Sequence, residues 1–186
     1  MKRLIFSATL VLSLGLAGCG EDASKDGTPK EDTQTPATTD TVAKEVESQD
    51  VYFKDNEAKL EDLKINITEM EVIQPGEAGN EYSDKPILAI WYNTTNLSDK
   101  DIDPSTAWIA VFTAIQDNNP NAINELNVGG LPDERFLDTQ LETIKKDGTV
   151  ENAIAYELDD LETPVTLVAN QGVGGKELGR QDYEIK

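Results

Sequence analysis

No segment constrains the fold more tightly than Thr149–Leu158. Val150, Ile154, Tyr156 and Leu158 share one parity with Asn152 in register, while Glu151 and Glu157 fall on the other. A period-two pattern of this kind suits a strand with one dry face and one wet face. The same alternation runs through Leu63, Ile65 and Ile67, then changes parity at Met70 and Val72. A parity change within one strand calls for an extra residue, so a bulge or bend is expected near Thr68 and Glu69. Pro86–Asn96 is apolar on both parities as far as Tyr92, the pattern of a central strand covered on both faces. Thr106–Asp117 is apolar too. There Ile109, Val111, Phe112 and Thr113 favour a strand, and the alanines leave a buried helix open. Val165 with Leu167, and Tyr183 with Ile185, complete the set.

Turn chemistry separates these runs: Gln74–Asn80 (QPGEAGN), the LSDKDIDPS loop, QDNNPN after Ile115, and Gly172–Lys176 (GVGGK) as a hairpin turn. Only Asp133–Lys146 has helical spacing, through Leu137, Leu141 and Ile144, with Asp133 as cap and Gly148 beyond the end; an extended edge is the alternative. Short strands joined by polar turns predict an all-β antiparallel sandwich of six to eight strands. The chain's single cysteine permits no internal disulfide, so the sandwich must rest on its hydrophobic core.

That cysteine closes a different kind of segment. Lys2 and Arg3 precede an apolar run, Leu4–Leu16, that is too short for a permanent membrane span, and small residues follow it. Leu16-Ala17-Gly18-Cys19 resembles the bacterial lipobox. The resemblance implies a diacylglycerol thioether on Cys19 and cleavage between Gly18 and Cys19. Two acyl chains, at about 0.8 kcal/mol per buried methylene, are what stable anchoring takes. Residues 1–18 are therefore expected to be a signal peptide, and the expected location is the outer face of the cell membrane. Residues 20–50 contain no aromatic residue, leucine or isoleucine and are rich in Thr, Pro, Ser and acidic groups. They cannot bury a core, so residues 19–50 read as a disordered, lipid-anchored linker, and the folded domain is expected over 51–186.

The 36 acidic and 16 basic residues give a formal charge of −20. Such a chain repels nucleic acid and anionic lipid, so nucleic-acid binding is not expected and adhesion to membrane rests on Cys19. There is no histidine, which removes the usual zinc, copper and iron ligands as well as any Ser-His or Cys-His nucleophile. No cofactor is expected.

The combination KPILAIWYNTTNLSDKDIDPSTAWIAVFTAIQDN followed by KKDGTVENAIAYEL resembles a family of surface lipoproteins from Gram-positive bacteria that carry a single domain of unknown function. That family is similar to the immunoglobulin-like immunoprotective extracellular domains. The resemblance implies an immunoglobulin-like sandwich and brings no activity with it. The cysteine pair of antibody domains is missing, and Trp91 or Trp108 is the candidate centre of the core.

Three motifs invite chemistry. Asp99, Asp101 and Asp103 alternate as in a calcium loop, but Pro104 and Ala110 stand where that loop needs glycine and glutamate. Gly172–Lys176 lacks the frame of a phosphate loop. Asp159, Asp160 and Glu162 are carboxylates in a polar turn, whereas a glycosidase holds two across a cleft. The expectation is a non-catalytic lipoprotein that binds a protein at the cell envelope. The alternatives are a carboxylate-dependent cell-wall hydrolase and a weak calcium-binding envelope module.

Overall fold

The structure, a computed structural model, describes residues 51–185. Gly18 and Cys19, with the segments expected to be a signal peptide and a linker, lie outside the described residues. Two antiparallel sheets face each other. The larger contains β1 (Tyr52–Lys54), β2 (Glu57–Lys59), β3 (Leu63–Ile73), β4 (Ile87–Asn96) and β6 (Thr149–Glu157), in the order β1-β2-β3-β4-β6. The smaller contains β5 (Phe112–Gln116), β7 (Val165–Asn170) and β8 (Glu177–Tyr183), in the order β5-β7-β8. The fold is an all-β, immunoglobulin-like sandwich.

Local chemistry sets the strand ends and registers. Asp55 and Asn56 both adopt positive φ, 51° and 64°, which gives the two-residue turn that matches the twist of the β1–β2 hairpin. The register of β3 against β4 slips between Ile67 and Glu69, where the parity change demands it. β4 is central, with β3 on one side and β6 on the other, and Ile87 to Ile90 and Tyr92 are all buried.

Thr106–Asp117 departs from the strand expectation in its first half. Pro104–Val111 is a helix, α1, and only Phe112–Gln116 is a strand. Asp103 caps the helix by accepting from the Thr106 backbone N–H at 2.8 Å, and Pro104 occupies the first turn. The helix carries the chain from the larger sheet to the smaller and drops Trp108 into the centre of the core, fully buried. Its ring lies 4.4 Å from those of Tyr92 and Phe112, and Phe112 meets Phe53 edge-on at 5.1 Å. The Trp108 Nε1–H donates to the Tyr156 hydroxyl at 2.8 Å, so the buried indole keeps a partner. Burial pushes that phenol up to about 12.

Asp133–Lys146 is not a helix. Asp133 caps a single 3-10 turn, Glu134–Phe136, and turns follow. A helix there would need Leu137 and Leu141 to bury a stripe, but they stand 62% and 69% exposed. The segment is held instead by backbone bonds from Ser105 N–H to Gln140 and from Ile144 N–H to Ile102.

The second face of the larger sheet is covered by the chain itself, in part by residues ahead of Asp133. Ile73, Ile87, Ala89 and Ala155 form a small cluster with Trp91 packed against it. A Cβ at Gly129 would touch Ala155 and Ile87 at 3.5 and 3.6 Å, and one at Gly79 would meet the Pro132 carbonyl at 2.5 Å. The Trp91 Nε1–H donates to Asp133 Oδ2 at 2.9 Å. The outer half of β4 is apolar because this crossing segment lies over it.

Candidate functional site

On the smaller sheet the outward side chains form a groove of about 340 Å³, in which Val168 is buried and the rest of the floor is half-buried. Thr113, Ile115, Thr166, Val168 and Asn170 line its floor, with Ile123, Asp117, Glu125 and Arg180 around it. Register explains the arrangement. Thr113 pairs with Val168, and Val168 with Arg180; Ile115 pairs with Thr166, and Thr166 with Asp182. A short return after β5 adds a further rung, since Ile115 bridges to Glu125 and the Leu126 N–H reaches the Ala114 carbonyl at 2.9 Å. One cross-strand row therefore reads Glu125, Ile115, Thr166, Asp182.

The polar groups at this face are unequally engaged. Arg180 is held by Glu177 through bonds of 3.0 and 2.6 Å, which lower the Glu177 carboxyl and raise the guanidinium. Asp182 accepts from the Thr166 hydroxyl at 2.6 Å. Asp117 and Glu125 are exposed and make no ion pair among the described residues. A floor of mixed aliphatic, hydroxyl and amide groups beside exposed acids makes a surface that can bind.

The motifs singled out in the sequence lie elsewhere and are occupied with structure. Asp99 pairs with Lys146 at 2.9 Å, while Asp103 caps α1, so the three aspartates do not converge. Among the described residues no three acidic, cysteine or histidine side chains form a metal-ligand set. Asp160 accepts from Asn118 and from the Thr163 and Glu162 backbone N–H groups, which hold its carboxyl well below the usual range. Asp159 is lowered by Lys85 and Asn124. Gly172–Lys176 forms the β7–β8 hairpin turn, closed by the Gln171 N–H on the Lys176 carbonyl at 2.9 Å.

A family model described as a domain of unknown function, DUF5067, matches residues 37–171. The chain belongs to this family. The DUF5067 match ends ahead of β8, so the groove's Arg180 lies beyond it. Among solved structures, a Staphylococcus aureus protein described as a candidate lipoprotein aligns with a TM-score of 0.61 at 19% identity, covering 73% of this chain and 92% of that one. At that identity the likeness is one of fold. No curated protein matches.

What joins this DUF5067 groove together was not visible as a motif. Thr113, Val168 and Arg180 are far apart in sequence and meet only through register. The available signal was Thr113 and Ile115 falling on the parity opposite Phe112 and Ala114 just before a polar turn.

Proposed function

We propose that the protein is a lipid-anchored lipoprotein on the outer face of the cell membrane, and that its sandwich is a non-catalytic module recognising a protein of the envelope. The anchor reading is supported by Leu16-Ala17-Gly18-Cys19 and by the fold shared with a protein described as a candidate lipoprotein. The recognition reading is carried by the groove on β5, β7 and β8, whose floor is aliphatic and hydroxyl-bearing and whose carboxylates sit exposed rather than enclosed. Acid–base catalysis wants a titratable group aimed into a dry site. The groove offers the opposite arrangement, Asp159 is engaged by Lys85 and Asn124, and Asp160 spends its oxygens on turn hydrogen bonds.

Two measurements test the reading. Metabolic labelling with an alkyne fatty acid should mark the wild-type chain and not Cys19→Ala; an unlabelled wild type would overturn the anchor. Crosslinking on intact cells should trap a partner that is lost when Val168 and Ile115 are both replaced by Ser. Recovery of nothing above background would overturn recognition.

A further inference from the structure

The groove has a chemical polarity that narrows what it can take. Its cross-strand row begins at Glu125 and ends at Asp182, with Ile115 and Thr166 between them, and Asp117 follows Gln116 at the end of β5. Arg180, the cation at this face, is already bound bidentately by Glu177. The surface facing outward thus mixes aliphatic and hydroxyl groups, with Asp117 and Glu125 free of ion pairs among the described residues at one side, Asp182 bonded to Thr166 at the other, and Ile123 standing 74% exposed beside it.

The chain's own parts fit poorly here. Residues 20–50 carry nine carboxylates against three lysines, and residues 51–185 carry 27 against ten basic groups. The preceding segment and a second copy would both bring negative charge to a negative rim. Strand addition at β5 is blocked as well, because Asn124–Leu126 already occupies that edge through the Gln116 and Leu126 backbone bonds. Beside Asp117 and Glu125, at the β5 side of the groove, an occupant must therefore lie across the face.

We infer that the groove binds an extended cationic segment of a protein, in which lysine or arginine alternates with aliphatic residues. The alternation follows from the geometry of an extended chain, whose successive side chains point to opposite sides. Aliphatic groups rest on Ile115 and Ile123, above the buried Val168, and the cations reach Asp117 and Glu125. This inference rests on the recognition reading and specifies its ligand.

The probe is a dye-labelled heptapeptide, Lys-Val-Lys-Ile-Lys-Val-Lys, titrated against the full lipidated chain in neutral detergent and followed by fluorescence anisotropy. Replacing Asp117 by Asn together with Glu125 by Gln should weaken binding about tenfold, the combined effect of two exposed ion pairs. Replacing Glu69 and Glu71 by Gln, two exposed acids on the larger sheet, should change it less than about twofold, because they lie on another sheet. A peptide with glycine in place of valine and isoleucine should also bind less tightly. Equal weakening by both acid pairs would mean attraction to net charge alone and would sink the proposal, as would a peptide that fails to bind at about millimolar concentration. If cells yield a partner whose capture is indifferent to the Asp117 and Glu125 changes, the ligand assignment falls while recognition stands.

Discussion

Gln116, an uncharged residue, ties the end of β5 to the Asp159–Thr163 turn. It is fully buried, its amide donates to the Asp160 and Thr163 carbonyls at 3.1 and 2.9 Å, and its oxygen accepts from the Asp159 and Asp160 N–H groups at 2.8 and 3.4 Å. Gln116→Leu keeps the volume and abandons those backbone groups, so we expect a loss of about 3 kcal/mol in urea unfolding; a change below about 1 kcal/mol would show that the turn rearranges freely. Nothing in the spacing around Gln116 marks it, since the partners are supplied by a turn more than forty residues away. Asp133 was legible as a cap but not as the partner of Trp91, because that contact depends on where the crossing segment lands. Its carboxyl is held at about 2, first by Arg135 and then by Trp91. The folded value is depressed, so its stabilisation is present above the unfolded value near 4 and is lost as pH falls toward about 2. Asp133→Asn should therefore lower stability by about 1 kcal/mol at pH 7, with the gap to wild type closing across that window in acid titrations of unfolding.

Among the elements, α1 is where local signal and composition disagreed. Asp103-Pro104 is a helix-start pair, yet Ile109, Val111, Phe112 and Thr113 weigh towards strand, and both readings hold over different halves of the run. Position in the molecule decides between them. The chain must cross from one sheet to the other, and a strand could not turn Ala107, Trp108 and Val111 all inward while doing so. Asp103→Ala removes the bond to the Thr106 N–H and should cost about 1 kcal/mol, with loss of protection at Thr106 in hydrogen exchange. Asp103→Ser, which keeps a capping oxygen, should restore most of it. β3 was legible down to its bulge, because a parity change has one structural consequence. The Leu137 and Leu141 spacing misled because periodicity records where apolar residues are, not whether a surface is there to receive them.

At the scale of the molecule, residues 117–136 resolve a problem that every open sandwich has. Sheet edges present unpaired backbone groups that invite association with other chains. After β5 the chain first lies along that strand's own edge through Asn124–Leu126, and then along β6, where the Glu157 N–H reaches the Asn127 carbonyl and the Gly129 N–H reaches the Ala155 carbonyl at 2.9 and 2.8 Å. It next crosses the outer face of the larger sheet to Trp91. One connection thus closes an edge of each sheet and covers an apolar face, leaving the face of the smaller sheet as the open one. Gly129 separates the backbone role from the packing role. A Cβ there meets only ordinary contacts, so Gly129→Ala should be tolerated, whereas Gly129→Pro loses the N–H that seals β6. We expect faster hydrogen exchange at Glu157 and self-association in sedimentation for the proline variant, and neither for the alanine variant. Matching behaviour of the two variants would refer the edge's protection to the −20 net charge, whose repulsion also keeps chains apart and fades with added salt. The proline variant measured at low and high ionic strength distinguishes the two: a seal of hydrogen bonds, once broken, leaves an edge that associates in both, and repulsion fails only in salt.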